Sequence, residues 1–147
     1  MAALLLDINV LVALFSADHS HHFVAQRWFR ENEKKGWATC PFTQAGFVRL
    51  LTNPAVARTA VSPMEAIAVL EENTQTPHHE FWSNDISFMK AVAPLISGLQ
   101  RYRQITDAYL LGLAIHRKGK LATFDTSIAS LLPVGKRKSD WIVELST

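Results

Sequence analysis

The sequence predicts an α/β fold: four or five strands in a mostly parallel sheet, with helices on both faces. Three observations predict it. Short strand-like runs alternate with helix-like segments along the whole chain, which is the order expected of βαβ units. The first run, Leu4-Leu5-Leu6 before Asp7, is continuously apolar, as in a strand buried on both faces. Composition is that of a folded protein, because 48% hydrophobic and 19% charged residues supply a core and argue against disorder. With 147 residues and no repeat, low-complexity tract or linker, residues 1–147 are expected to form a single domain.

The elements follow in order. Residues 4–7 read as a buried strand, and residues 9–15 as a brief helix broken near Ser16-Ala17-Asp18. Residues 22–35 form a stronger helix, apolar through Phe23, Ala25 and Trp28-Phe29 and charged toward its end, with Gly36 placed to terminate it. Residues 37–40 are a second strand. A helix over 43–51 should turn Ala45, Phe47, Val48 and Leu51 inward, and Asn53-Pro54 stops it. Ser62-Pro63-Met64-Glu65 is a capping box with proline at the first helical position, so a helix runs from there to about Asn73. Residues 80–82 suit a short strand, and residues 88–99 a helix containing Pro94. Thr106 is the expected N-cap of a helix over 107–118, whose Ala108, Leu110, Leu111, Ala114 and Ile115 pack on the sheet before Gly119 ends it. Residues 121–124 and 141–145 supply the last strands.

Several classes are excluded at this level. No apolar run approaches the ~20 residues that span a bilayer. The N-terminal stretch lacks a basic lead and runs straight into Asp7, so it is not expected to act as a signal peptide. Cys40, the single cysteine, cannot form an internal disulfide; it reads as a small buried residue and suits a reducing cytoplasm. His19-Ser20-His21-His22 and His78-His79 have no cysteine nearby and no His-Glu-x-x-His pattern, so they read as loop and helix-start residues rather than a zinc site. A formal net charge of +2 permits a nucleic-acid partner without demanding one.

Three aspartates carry the chemistry. Asp7 closes the first strand, Asp125 closes Leu121-Ala122-Thr123-Phe124, and Asp107 opens a helix after Gln104-Ile105-Thr106. Strand C-termini and first helical turns meet at one edge of a parallel sheet, so the three acids are expected to share a small pocket there. Converged carboxylates repel unless a hard cation sits between them, which makes this a candidate Mg²⁺ or Mn²⁺ site. Each acid alone has a local explanation, as a helix cap or as a complement to the helix dipole. Capping does not account for two strand-ending carboxylates recurring together.

Leu5-Leu6-Asp7-Ile8-Asn9-Val10-Leu11, Ile105-Thr106-Asp107-Ala108-Tyr109-Leu110 and Leu121-Ala122-Thr123-Phe124-Asp125 resemble the ordered acidic motifs of PIN-domain ribonucleases. The likeness is closest to VapC-type toxins of type II toxin–antitoxin pairs. The stretch from Cys40 to Arg49 and Leu51-Thr52-Asn53-Pro54 also resemble one branch of those toxins. The resemblance implies a three-layer α/β/α fold and a metal-dependent endoribonuclease. It assigns Asp7, Asp107 and Asp125 to metal binding and catalysis, with Asn9 and Thr123 as polar neighbours. Many relatives carry a glutamate where Gln44 stands; the glutamine can still bond to a metal-bound water in support of the acids but brings no charge. Many also have a further acid where this chain has Thr126, Ser127 and Ile128. One divalent ion is therefore better supported than two. The resemblance also implies a homodimer and a cognate antitoxin, with Phe15, Phe23, Phe47 and Leu51 as partner contacts and Arg49 serving the same groove or the active site. Core packing accounts for those residues equally well.

Among the cationic residues, Arg101, Arg103 and Arg117 bracket the Asp107 helix and are expected to grip RNA phosphates. Trp28, Trp37, Trp82 and Trp141 read as core or interface anchors. Two other readings remain open. One is a haloacid-dehalogenase-like phosphatase, which needs Asp-x-Asp where Asn9 replaces the second acid. The other is a non-catalytic PIN-like domain that binds RNA or protein, a reading that Gln44 favours.

Overall fold

The computed structural model describes residues 3–146. Five strands, β1 (Leu4–Leu6), β2 (Trp37–Thr39), β3 (His79–Phe81), β4 (Lys120–Thr123) and β5 (Ile142–Glu144), form one sheet in the order β3-β2-β1-β4-β5. Every neighbouring pair is parallel, with Leu5 beside Ala38 on one flank and beside Leu121 on the other. The sheet is thus fully parallel.

Alternation along β1 sorts the interior. Leu5 faces a core built with Ala38, Leu121 and the helices α5 (Phe88–Val92) and α6 (Ile105–His116). Leu4 and Leu6 face a second core, shared with α1 (Ile8–Phe15), α2 (His22–Asn32), α3 (Pro41–Leu51) and α4 (Pro63–Thr74). The result is three layers, α/β/α, as the sequence pattern and the resemblance imply.

Local chemistry explains the boundaries. The Ser62–Glu65 capping box forms in both directions, at 3.1 and 3.3 Å. Gly36, at φ 93°, ends the helical run that continues from α2 through a 3₁₀ turn at Glu33–Lys35. Other boundaries differ from expectation. The helix expected from residue 43 begins at Pro41, because the Cys40 N–H is accepted by the Thr43 hydroxyl at 3.0 Å. In that helix Ala45 is exposed, and Gly46 takes the inward position instead. The helix expected over 88–99 is α5 followed by a 3₁₀ segment at Ala93–Gly98, since Pro94 brings no N–H to an α-helical ladder. α6 starts at Ile105, and Thr106 is its exposed second residue rather than its N-cap. A 3₁₀ turn at Tyr102–Gln104 feeds the helix directly, and the Gln104 side chain accepts from the N–H groups of Gln100 and Arg101 at 2.8 and 2.9 Å. β3 lies one residue earlier than expected, which leaves Trp82 to bury its ring while its N–H bonds to Thr39 O at 2.8 Å. None of these helices is long and apolar enough to cross a membrane.

Candidate active site

Asp7 and Asp125 leave adjacent strands at the carboxyl edge of the sheet. Asp7 is 5% exposed, caps α1 through the Ile8 N–H at 2.8 Å, and donates its own N–H to Ala122 O at 2.9 Å. Asp125 caps a 3₁₀ segment at Thr126–Leu131, with its Oδ1 accepting from the Ser127 N–H and hydroxyl at 2.8 and 2.6 Å. Asp107 is the third residue of α6, half-buried, where the positive end of the helix dipole favours an anion.

The three acids feel one another. Burial, then the charges of Asp7 and Asp125, push the Asp107 carboxyl up to about 7. Burial also holds Asp7 above the usual carboxylate range, against hydrogen bonds from Thr123 and Ile8, and Asp125 adds to the rise. The expected single small pocket is not what forms: Asp107 and Asp125 line one cleft without Asp7, and among the described residues no three His, Cys, Asp or Glu side chains gather closely enough to ligate one ion together. Asp7 and Asp125 are instead held by donors of their own chain. Mg²⁺ is commonly bound through one or two carboxylates and several waters, so hard oxygen donors in this loose array suit it without a closed cage.

Thr123 ties the centre together. Its hydroxyl donates to Asp7 Oδ2 at 2.7 Å, accepts the Asp125 N–H at 3.0 Å and receives the Asn9 amide at 3.4 Å. Asn9 Oδ1 in turn accepts the Phe124 N–H at 3.4 Å. Both predicted polar neighbours therefore touch the acid centre or its strand. Gln44 does not: its amide donates to Thr39 Oγ1 at 3.0 Å, and Thr39 pairs with His79 Nε2 at 2.8 Å.

A cleft of about 740 Å³ opens over Asp107 and Asp125, walled by Arg101, Arg103, Gln104 and Ser127. Arg101 and Arg103 thus line the same cleft as Asp107 and Asp125. Arg117 is elsewhere, at the far end of α6. Its guanidinium meets Asp85 at 3.4 Å, Ser83 at 3.2 Å and the Trp82 ring at 5.7 Å, so it braces the segment after β3. Sequence reasoning missed Gln104 and Ser127 as cleft walls. The signal for Ser127 was its place two residues after a strand-ending aspartate, where it completes a cap.

The expected partner contacts divide. Phe47 and Leu51 are core residues, and Phe15 is half-buried against Trp37 and Phe47, with ring centroids 6.3 and 6.0 Å away. Phe23 is 80% exposed on α2, and Arg49 is exposed on α3.

Comparison with known proteins gives a consistent picture. The family model described as PIN domain matches residues 4–131. The chain is 46% identical to Ribonuclease VapC38 of Mycobacterium tuberculosis over 127 residues, covering 86% of this chain and 88% of the relative. It is 42% identical to Ribonuclease VapC44 of the same species over 134 residues, covering 91% and 94%. Ribonuclease VapC39, also from that species, is 40% identical over 131 residues, covering 89% and 94%. Among solved structures, the crystal structure of M. tuberculosis VapC20, a sarcin-ricin loop cleaving toxin, superposes with a TM-score of 0.65. That match covers 92% of this chain and 99% of the other at 16% identity, a likeness of fold alone.

Proposed function

The chain belongs to the PIN-domain family, in its VapC ribonuclease branch, and from that premise we propose that it is a divalent-metal-dependent endoribonuclease toxin. The observation that carries the reading is the meeting of Asp7 and Asp125 at the carboxyl edge of adjacent strands, joined through the Thr123 hydroxyl, with Asp107 on the same cleft as Asp125. Carboxylates half-buried or buried at one sheet edge are costly in an isolated fold and useful around a cation.

Asp7, Asp107 and Asp125 would hold a Mg²⁺ or Mn²⁺ ion partly through metal-bound waters rather than as three direct ligands. When bound, such an ion offsets the charge of a phosphodiester and makes a water more acidic. The protein's own residues prepare the rest. Thr123 fixes the Asp7 carboxylate through Oδ2, and Asn9 fixes Thr123. Ser127 orients the Asp125 carboxylate through Oδ1. Arg101 and Arg103 draw the RNA backbone into the cleft and balance its charge. The Asp107 carboxyl, raised to about 7 by burial and then by the nearby acids, gives up its proton as an ion binds.

The VapC relatives extend the proposal to a toxin held in check by a cognate antitoxin protein, acting as a homodimer in the cytoplasm. Phe23 is the aromatic of the expected partner set that stands exposed, at 80%. The test is cleavage of total RNA by the purified chain, with Mg²⁺ and with EDTA. Cleavage that survives EDTA, or no cleavage by folded protein in either Mg²⁺ or Mn²⁺, would overturn the reading. A second reading, a PIN-like domain that binds RNA without cutting it, draws on Gln44, whose neutral amide is engaged with Thr39. Calorimetry separates the two, because a non-catalytic domain takes up no ion at millimolar Mg²⁺.

A further inference from the structure

A second cleft, of about 300 Å³, lies between the turn after α1 and the segment joining α3 to α4. Asn9, Ser16, Asp18, His19, Ser20 and Arg58 supply its polar walls. Asn9 is the wall it shares with the acid centre, through the Asn9 amide on Thr123 Oγ1 at 3.4 Å and the Thr123 hydroxyl on Asp7 at 2.7 Å. The cleft therefore reaches within two hydrogen bonds of Asp7, while the Arg101/Arg103 cleft borders Asp107 and Asp125.

We propose that this second cleft is an RNA subsite, taking the phosphodiester backbone on the side of the scissile phosphate opposite Arg101 and Arg103. The proposal rests on the ribonuclease reading and deepens it: one cleft borders Asp107 and Asp125 and the other reaches Asp7 through Asn9 and Thr123, so an RNA strand passing the acids has a cleft to enter beside each. The donors fit a phosphate. Arg58 is exposed and charged. His19 Nδ1 accepts the His21 N–H at 3.0 Å, which leaves Nε2 to carry the proton of the neutral ring as an outward donor. Burial and the neighbouring His21 keep His19 below the usual histidine range, in keeping with that neutral form. The turn is also braced against the catalytic strand: the His21 ring stacks on Phe124, with centroids 5.2 Å apart and planes at 29°. Phe124 lies between Thr123 and Asp125 in sequence.

Asp18 opposes an anion in this cleft. Its Oδ1 is engaged by the Ser16 hydroxyl at 2.8 Å, and it stays well ionised. Asp18 offsets part of the Arg58 charge, so this subsite holds RNA more weakly than the Arg101/Arg103 side.

The test uses a 5′-fluorescein-labelled, mixed-sequence 12-nucleotide RNA. Binding is read by anisotropy in EDTA across a salt series, and turnover is read in Mg²⁺. His19→Ala and Arg58→Ala are each expected to weaken binding about threefold to tenfold and to raise KM while kcat stays within twofold. Arg58→Ala should lower the salt slope by about 0.7, the value of one single-strand phosphate, and Arg58→Lys should restore it. Affinity and salt slope unchanged in both alanine variants, with Arg101→Ala/Arg103→Ala weakened, would overturn the subsite alone. Wild-type chain that binds the RNA in EDTA with the expected Arg58 dependence, yet cuts nothing in Mg²⁺, would uphold the subsite and remove the ribonuclease reading.

Discussion

The Thr123 hydroxyl donates to Asp7 Oδ2 at 2.7 Å while accepting the Asp125 N–H at 3.0 Å, so one side chain sets the relation between two acids from different strands. Losing a hydrogen bond to a buried carboxylate costs about 2–3 kcal/mol. Thr123→Val is therefore expected to lower the melting temperature and to cut RNA cleavage by about tenfold, whereas Thr123→Ser keeps both near wild type. Thermal melts alongside a cleavage assay check it.

The raised acids make stability depend on pH in the reverse of the usual carboxylate sense. Asp107 titrates near 7 in the folded protein and at about 3.9 when unfolded, so the native state binds more protons between those values. Metal-free protein should lose stability as pH rises from 4 through 7. Solvent screening of the half-exposed side chain reduces the effect to about 1 kcal/mol. Asp107→Asn should flatten this dependence and raise the metal-free melting temperature at pH 7.5 while abolishing cleavage. A variant as steeply pH-dependent as wild type would count against the assignment.

Ion binding requires Asp107 to be ionised. With its carboxyl near 7, Mg²⁺ affinity at pH 6 is expected to be about tenfold weaker than at pH 8, with proton release on binding. Calorimetry in buffers of different ionisation enthalpy measures both quantities. Asp7→Asn should remove the binding heat.

The arginines around α6 are expected to behave differently. Arg101→Ala/Arg103→Ala should raise KM for RNA and lower the salt slope by about 1.4, for two phosphates. Arg117→Ala should leave RNA binding unchanged and destabilise the fold by about 1 kcal/mol, through Asp85 and the Trp82 ring. Filter binding and denaturant melts separate these outcomes.

Close packing of α5 on α6 depends on Gly112. A Cβ there would come within 2.6 Å of the Ala91 carbonyl carbon, and backbone cannot swing aside as a side chain can. Gly112→Ala is expected to cost about 2–3 kcal/mol in a urea titration, without altering the acids themselves.

The carboxyl-edge acids were legible because each strand's apolar run stops at an aspartate, a pattern local enough to read from letters alone. The α4 start was legible for the same reason, as Ser62 and Glu65 satisfy one another within a single turn. Arg117 was misjudged because its direction is set by Asp85 and Trp82, which reach it only through the tertiary fold. Gln44 was read by its place in the chain, yet its amide follows Thr39 and the β2 edge. Thr106 loses its expected capping role because the 3₁₀ turn at Tyr102–Gln104 runs straight into the helix and starts it at Ile105.

Cys40 is the sole thiol of the chain, fully buried where β2 turns into α3. A thiol-reactive dye can reach it only when that junction breathes, and no second sulfhydryl clouds the signal. The labelling rate is thus a built-in clock for local opening beside the acids, one that ion or oligonucleotide binding at the same edge would slow.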